Sequence, residues 1–197
     1  MTFSPPPLAL PFFARDALVV ARALIGARIV HRGKVARIVE TEAYRGPKDL
    51  ACHARAGLTK RTRALFGPPG RAYVFLVYGM YECFNVVCNE EGSGHAVLLR
   101  AAEPLGGFDE RTEADGPGKL ARAMKLGRAL DGASLLEGDL HLLPREGRVR
   151  IGVSARVGVA YAGTWADKPW RFFDRDSDHV SRPPKSAIGR PRSKGHP

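Results

Sequence analysis

The sequence predicts a single α+β domain, and three observations carry that expectation. The chain has 197 residues, which matches one domain at roughly 100–200 residues each. A domain of this size buries about 70% of its unfolded surface, enough to fold without disulfide staples. Hydrophobic residues make up 44% of the chain, which argues for a packed core rather than disorder. Short strand-like runs follow one another with the helical patterns set apart from them, instead of alternating in βαβ units.

In chain order, residues 1–11 are proline-rich and read as an extended surface segment. Residues 16–27 read as a helix, with Ala17, Leu18, Val20, Ala21, Leu24 and Ile25 at mixed three- and four-residue spacing. Residues 28–31 and 35–44 read as strands about a turn at Arg32-Gly33. A basic loop or short helix follows over 55–66, closed by the breaker Gly67-Pro68-Pro69-Gly70. Residues 71–78, 84–89 and 95–101 read as three more strands, with Gly79 and Gly92-Ser93-Gly94 in the turns. Gly116-Pro117-Gly118 opens a second helix over 119–130, and 148–153 reads as a further strand. From His179 to the end the chain carries five basic residues, four prolines and no acidic residue. Residues 183–197 are expected to be a basic, disordered tail after a domain spanning 1–182.

Charge narrows the partners. Thirty-one Lys and Arg against 20 Asp and Glu give a net charge of +11, which suits a polyanion or an anionic membrane surface. A membrane span is excluded by length: the apolar run over residues 17–25 is broken by Arg22 and falls far short of ~20 residues. Pro5, Pro6 and Pro7 precede that run with no basic leader, so no secretion signal is expected. A cytoplasmic protein follows, associated with the nucleoid if the source is prokaryotic. Cys52, Cys83 and Cys88 are an odd set without a paired spacing, which suits reduced thiols and argues against structural zinc.

Between Asp49 and Glu82 there is no acidic residue, while Arg55, Lys60, Arg61, Arg63 and Arg71 all lie there. Tyr73, Phe75, Tyr78 and Tyr81 follow closely. Such a block suits phosphate neutralisation with base stacking; composition alone favours the alternative, a solvated loop beside an aromatic core strand. In the strand over 35–44, alternation puts Ala36, Ile38, Glu40, Glu42 and Tyr44 on one face. A carboxylate at the end of a buried strand, beside an aromatic, is a candidate general base; a paired structural glutamate is the alternative. Alternation in 95–101 puts Ala96, Leu98 and Arg100 together. A buried Arg100 needs a carboxylate partner; Glu42 is the natural candidate, and the pair could hold a water. Tyr78-Gly79-Met80-Tyr81 reads as a hairpin tip, where an aromatic could be pushed between bases as a wedge.

Longer blocks then resemble a known family. RIVETEAYRGPKDLACHARAGLTKRT (37–62), FGPPGRAYVFLVYGMYECFNVV (66–87) and HAVLLRAAEP (95–104) strongly resemble the alkyladenine (3-methyladenine) DNA glycosylases of the human-type fold. GPGKLARAM (116–124) and KPWRFF (168–173) match later blocks in order, so the resemblance spans most of 12–182. The fold this implies is one compact domain, a curved, mainly antiparallel sheet flanked by helices. The resemblance also implies roles. Glu42 would activate the attacking water, and Arg100 would help hold it. Tyr44, His53 and Phe75 would line the pocket for an extruded base, Phe75 standing where some relatives carry Tyr. Asn85 would help reject normal guanine, and Tyr78 would fill the gap in the duplex. Lys119, at a helix N-terminus, and Arg61 would contact the DNA backbone.

The implied activity is that of a monofunctional DNA N-glycosylase without lyase activity. It would flip 3-methyladenine, 7-methylguanine, and also hypoxanthine and ethenoadenine, from duplex DNA, starting base excision repair. A monomer acting on damaged double-stranded DNA is expected, with neither cofactor nor metal. Two rivals predict different behaviour. A non-catalytic damage binder releases no free base. A single-strand binding module shows little preference for damaged duplex.

Overall fold

Asp16 begins the first long helix by accepting the Leu18 N–H on its carboxylate at 2.9 Å, a cap for one orphan donor of the first turn. A computed structural model describes residues 5–181. After a short helix α1 (Leu10–Phe13), α2 runs Ala17–Leu24 and buries Ala17, Val20, Ala21 and Leu24. It ends three residues before the sequence pattern suggests. Ile25 turns extended, and Gly26 takes φ 87 where a Cβ would meet Val149 Cγ2 at 2.7 Å.

Eight strands follow: β1 (Arg28–His31), β2 (Lys34–Arg45), β3 (Ala72–Val77), β4 (Tyr81–Cys88), β5 (His95–Gly106), β6 (His141–Leu143), β7 (Ile151–Ser154) and β8 (Arg171–Asp174). They form one sheet in the order β3-β4-β5-β2-β1-β6, while β8 pairs with both β2 and β7. The paired strands of the described residues run antiparallel, so the α+β class holds. β2 is central, as its apolar faces suggest. The strands β6 and β8 are too short to stand out in the sequence. The helix α3 covers Pro117–Met124, not 119–130: Lys125 takes a left-handed φ of 57 and stops it, and Arg128–Leu130 form a separate 3₁₀ turn. The basic stretch over 55–66 is largely turn, with 3₁₀ segments at His53–Ala56 and Ala64–Phe66. The tail over 183–197 lies outside the described residues.

One irregularity decides which side chains reach the site. In the β2–β5 ladder Ile38 pairs with Ala102 and Glu40 with Ala101, which leaves Val39 unmatched. Thr41 then pairs with Leu99, which leaves Arg100 unmatched. An extra residue reverses the alternation beyond it. Ala36, Ile38 and Ala43 therefore all lie in the main core with Val97, Leu99 and Ala102, and Thr41 Oγ1 donates to the Ala21 carbonyl at 2.9 Å. Glu40, Glu42 and Tyr44 share the opposite face. The single face expected for Ala36, Ile38, Glu40, Glu42 and Tyr44 is thus corrected: it is broken by the bulge. On that opposite side a smaller cluster forms from Cys52, Ala54, Leu65, Tyr73, Val87 and Ala96, with Tyr44, Phe66 and Phe75 against it.

Candidate active site

A cavity of about 1030 Å³ opens on this side of the sheet. Its walls include Tyr44 from β2, His53 and Arg61 from the loop after β2, and Tyr73 and Phe75 from β3. Asn85 from β4, Arg100 from β5, Lys119 from α3 and Val157 from the loop after β7 complete them. The sequence-predicted residues thus converge from distant parts of the chain.

Glu42 lies behind that wall, not on it. Its side chain is fully buried, and its hydrogen-bond partners line the cavity in its place. Tyr44 donates its hydroxyl to Glu42 Oε2 at 2.9 Å, and the Val157 N–H donates to Oε1 at 2.7 Å. Arg100 Nη1 stands 3.5 Å from Oε2. Burial pushes the Glu42 carboxyl above its ordinary value, and the Arg100 charge with the Val157 and Tyr44 donors pulls back against it. Arg100 thus favours the ionised form, but desolvation is the larger effect.

Arg100 is the nearer partner of a different carboxylate. Its Nε donates to Glu40 Oε1 at 3.0 Å, and Arg171 Nε donates to the same oxygen at 2.6 Å. The Ser181 N–H donates to Glu40 Oε2 at 2.7 Å. The pairing of Arg100 with Glu42 is therefore secondary to a buried cluster around Glu40, a residue sequence reasoning passed over as the neighbour of Glu42.

The aromatic wall is ordered by polar contacts. His53 Nδ1 is hydrogen-bonded with the Tyr73 hydroxyl at 3.0 Å, and its ring meets Phe75 edge-on at 4.4 Å. Burial, with the Arg61 charge nearby, lowers His53 to about 4, so the imidazole is neutral at neutral pH. Arg61, expected on the DNA backbone, lines the cavity with its guanidinium 5.8 Å from the Phe75 ring centre. Asn85, a lining residue, spends its amide nitrogen on the carbonyls of Tyr73 and Cys83 at 3.1 and 3.3 Å, which fixes the side chain in the wall. Lys119 is held by Glu113 and Asp115 at 2.8 and 2.9 Å. Its expected phosphate contact competes with two carboxylates.

At the cavity rim β3 and β4 meet in a tight turn. The Met80 N–H donates to the Val77 carbonyl at 3.1 Å, with Tyr78 at φ 52 and Gly79 at φ 69. Two successive left-handed residues suit a type I′ hairpin. Tyr78 is 87% exposed and Met80 71%, so the tip presents apolar side chains to solvent. Sequence reasoning missed Arg156, which forms a two-bond fork on Asp49 at 2.6 and 2.9 Å. Neither residue sits in a periodic pattern, and their 107-residue separation hides the pairing. Cys52, Cys83 and Cys88 are buried and free, and burial raises Cys52 and Cys83 to about 11. Among the described residues, no helix is long and apolar enough to cross a membrane.

Fold and site define a class: a basic α+β protein with an aromatic-walled cavity backed by a buried carboxylate. The family follows from comparison. Residues 11–178 match the family model described as Methylpurine-DNA glycosylase (MPG), and the chain belongs to that family. A protein of Myxococcus xanthus (strain DK1622) is 52% identical over 186 residues, covering 91% of this chain and 96% of its own. One of Legionella pneumophila (strain Lens) is 45% identical over 181 residues, covering 89% and 98%. One of Anaeromyxobacter dehalogenans (strain 2CP-1 / ATCC BAA-258) is 51% identical over 185 residues, covering 89% and 86%. All three bear the name "Putative 3-methyladenine DNA glycosylase". The chain is accordingly a DNA glycosylase, a hydrolase of N-glycosyl bonds whose substrate is DNA.

Proposed function

We propose that this glycosylase rotates a damaged purine out of duplex DNA into the cavity and hydrolyses its glycosidic bond with a water activated by Glu42. The observation that carries the reading is the wiring of Glu42: three groups donate to it, and all three line the cavity. A carboxylate offers about four acceptor positions, so one remains for a water entering between Tyr44, Arg100 and Val157. As the bond to C1′ breaks, positive charge grows on the sugar. Ionised Glu42 stabilises that charge while taking the proton of the water. Arg100, anchored on Glu40, keeps its Nη1 toward the same water.

Substrates are 3-methyladenine and 7-methylguanine, whose positive charge makes each a good leaving group without a general acid; hypoxanthine and ethenoadenine are further candidates. Tyr44, His53 and Phe75 stack against the base. A cationic base gains about 0.5–2 kcal/mol from such faces, partly offset here by the guanidiniums of Arg156 and Arg61 near Tyr44 and Phe75. Asn85 crowds the exocyclic amine of normal guanine. Tyr78 enters the stack in place of the departed nucleotide, and Arg61 and Lys119 face the phosphates at the rim. Lyase chemistry needs a neutral amine, whereas the Glu113 and Asp115 carboxylates raise the Lys119 pKa and keep it protonated. The working unit is a monomer with its catalytic domain over residues 1–182.

Glu42→Gln tests the mechanism. Single-turnover release of 7-methylguanine should fall at least ~100-fold, while affinity for lesion DNA stays near that of the parent. Release at the parental rate removes Glu42 from the chemistry.

A further inference from the structure

Arg156 touches the cavity only through other residues, yet it holds several of its walls at once. Its side chain is wholly buried with Asp49. Nη1 donates to Asp49 Oδ2 at 2.6 Å and to the Ala43 carbonyl at 3.0 Å. Nη2 donates to Asp49 Oδ1 at 2.9 Å and to the Trp165 carbonyl at 3.0 Å. The guanidinium carbon lies 4.8 Å from the Tyr44 ring centre and 4.9 Å from that of Trp170. Only a planar fork can serve four acceptors and two rings together. Asp49 in turn accepts the Arg45 and Ala51 N–H groups at 3.2 and 3.0 Å, which fixes the loop leading to His53.

Three of these links reach the groups that donate to Glu42. Ala43, whose carbonyl Arg156 holds, is the link between Glu42 and Tyr44. Val157, the next residue in the chain, gives its N–H to Glu42. Tyr44, whose ring the guanidinium backs, gives its hydroxyl to Glu42. We propose that Arg156 is a positioning residue for hydrolysis: pinned by Asp49, it keeps the Tyr44 ring and the Val157 N–H aligned on Glu42 without touching base or water. This rests on the reading of Glu42 as the base. A buried ion pair alone is weak grounds for stability, since apolar replacements are often neutral or better. Here the two free Nη donors go to the carbonyls of Ala43, next in chain to Tyr44 and Glu42, and of Trp165.

The charged and titratable groups around Glu42 are Glu40 and Tyr44 on β2, Arg100 on β5 and Cys83 on β4. Arg171 lies opposite Glu42 on β8, and Arg156 lies in the loop after β7. Arg156→Lys keeps every one of these charges and removes only the fork. If alignment is its role, Glu42 loses well-placed donors. Its ionised form is then disfavoured, and the acid limb of the pH–rate profile moves to higher pH.

The experiment measures Arg156→Lys beside the parent and Glu42→Gln, with methylated DNA and with a duplex carrying an abasic-site analogue. Binding of the analogue at parental affinity shows that the fold and DNA surface are intact. Single-turnover release of 7-methylguanine should fall about 10- to 100-fold, with the acid limb displaced upward by about half a unit or more. Unchanged release, or a fall with the limb in place, overturns the proposal. Parental activity in Glu42→Gln would instead overturn the reading of the base. Where Arg156→Lys fails to bind the analogue, Asp49→Asn/Arg156→Gln, an uncharged pair of similar size, is judged by the same two readouts. Failure of both variants to bind makes the pair a folding element and overturns the proposal.

Discussion

His53 shows how a side chain named by sequence acquires its chemistry from neighbours the sequence does not reveal. Its position in Ala51-Cys52-His53 is legible, but its neutral state comes from burial and from Arg61, eight positions on. The stability consequence has a definite sign. With the folded-state value lowered from 6.5 to about 4, the unfolded chain binds more protons between those limits. The His53 contribution to stability therefore falls as pH drops from about 6.5 to about 4. The raised Glu42 works in the opposite direction, so the comparison must be between His53→Gln and the parent. Urea midpoints at pH 7 and pH 5 should drop further in the parent than in His53→Gln; an equal drop shows that His53 is not held neutral. Glu42, Tyr44, Phe75, Asn85 and Arg100 were likewise legible as residues around one cavity. The order of their contacts was not. Arg100 prefers Glu40, and the Val157 N–H on Glu42 comes from a loop without any sequence signal. Backbone donors and long-range ion pairs leave no periodicity to read.

At the scale of elements, alternation located β2, β3, β4 and β5 but failed within β2. The unmatched Val39 and Arg100 reverse the faces, so the apolar residues before the bulge and the carboxylates after it point to opposite sides. No composition rule marks a bulge flanked by Ile38 and Glu40, although the bulge is what turns Tyr44 into the cavity wall and Glu42 to the same side behind it. The β3–β4 hairpin was easier, because Gly79 between two alternating runs marks a turn. Its tip makes a sharp contrast between stability and binding. Tyr78 is 87% exposed and buries little against the rest of the chain. Tyr78→Ser should leave the thermal midpoint within about 2 °C, since exposed substitutions usually cost within ~0.5 kcal/mol. It should weaken binding to lesion DNA and reduce the fluorescence of 2-aminopurine placed at the lesion, as expected if the extruded state loses its wedge. Equal fluorescence in parent and variant would show that Tyr78 does not support extrusion.

The whole molecule carries a net charge of +11, and that excess belongs to binding rather than to chemistry. Paired cations contribute little to it: Arg37, Arg100, Arg156 and Arg171 are engaged with Asp or Glu inside the protein. The basic residues free to meet phosphates lie elsewhere, and five of the 31 fall after Ser181. Each phosphate neutralised releases counterion, so the logarithm of the DNA association constant falls linearly with that of salt, by about 0.9 per contact. The slope measured on undamaged duplex thus counts phosphate contacts. The slope should flatten by up to about 4.5 units when residues 182–197 are removed, if all five cations engage phosphates. Single-turnover release by excess enzyme at low salt should stay near the parental rate, because Glu42 and its donors lie within the described domain. An unchanged slope would show that the terminal cations remain solvated on DNA. A loss of release at saturating enzyme would show instead that residues 182–197 are needed for the chemistry and not only for binding.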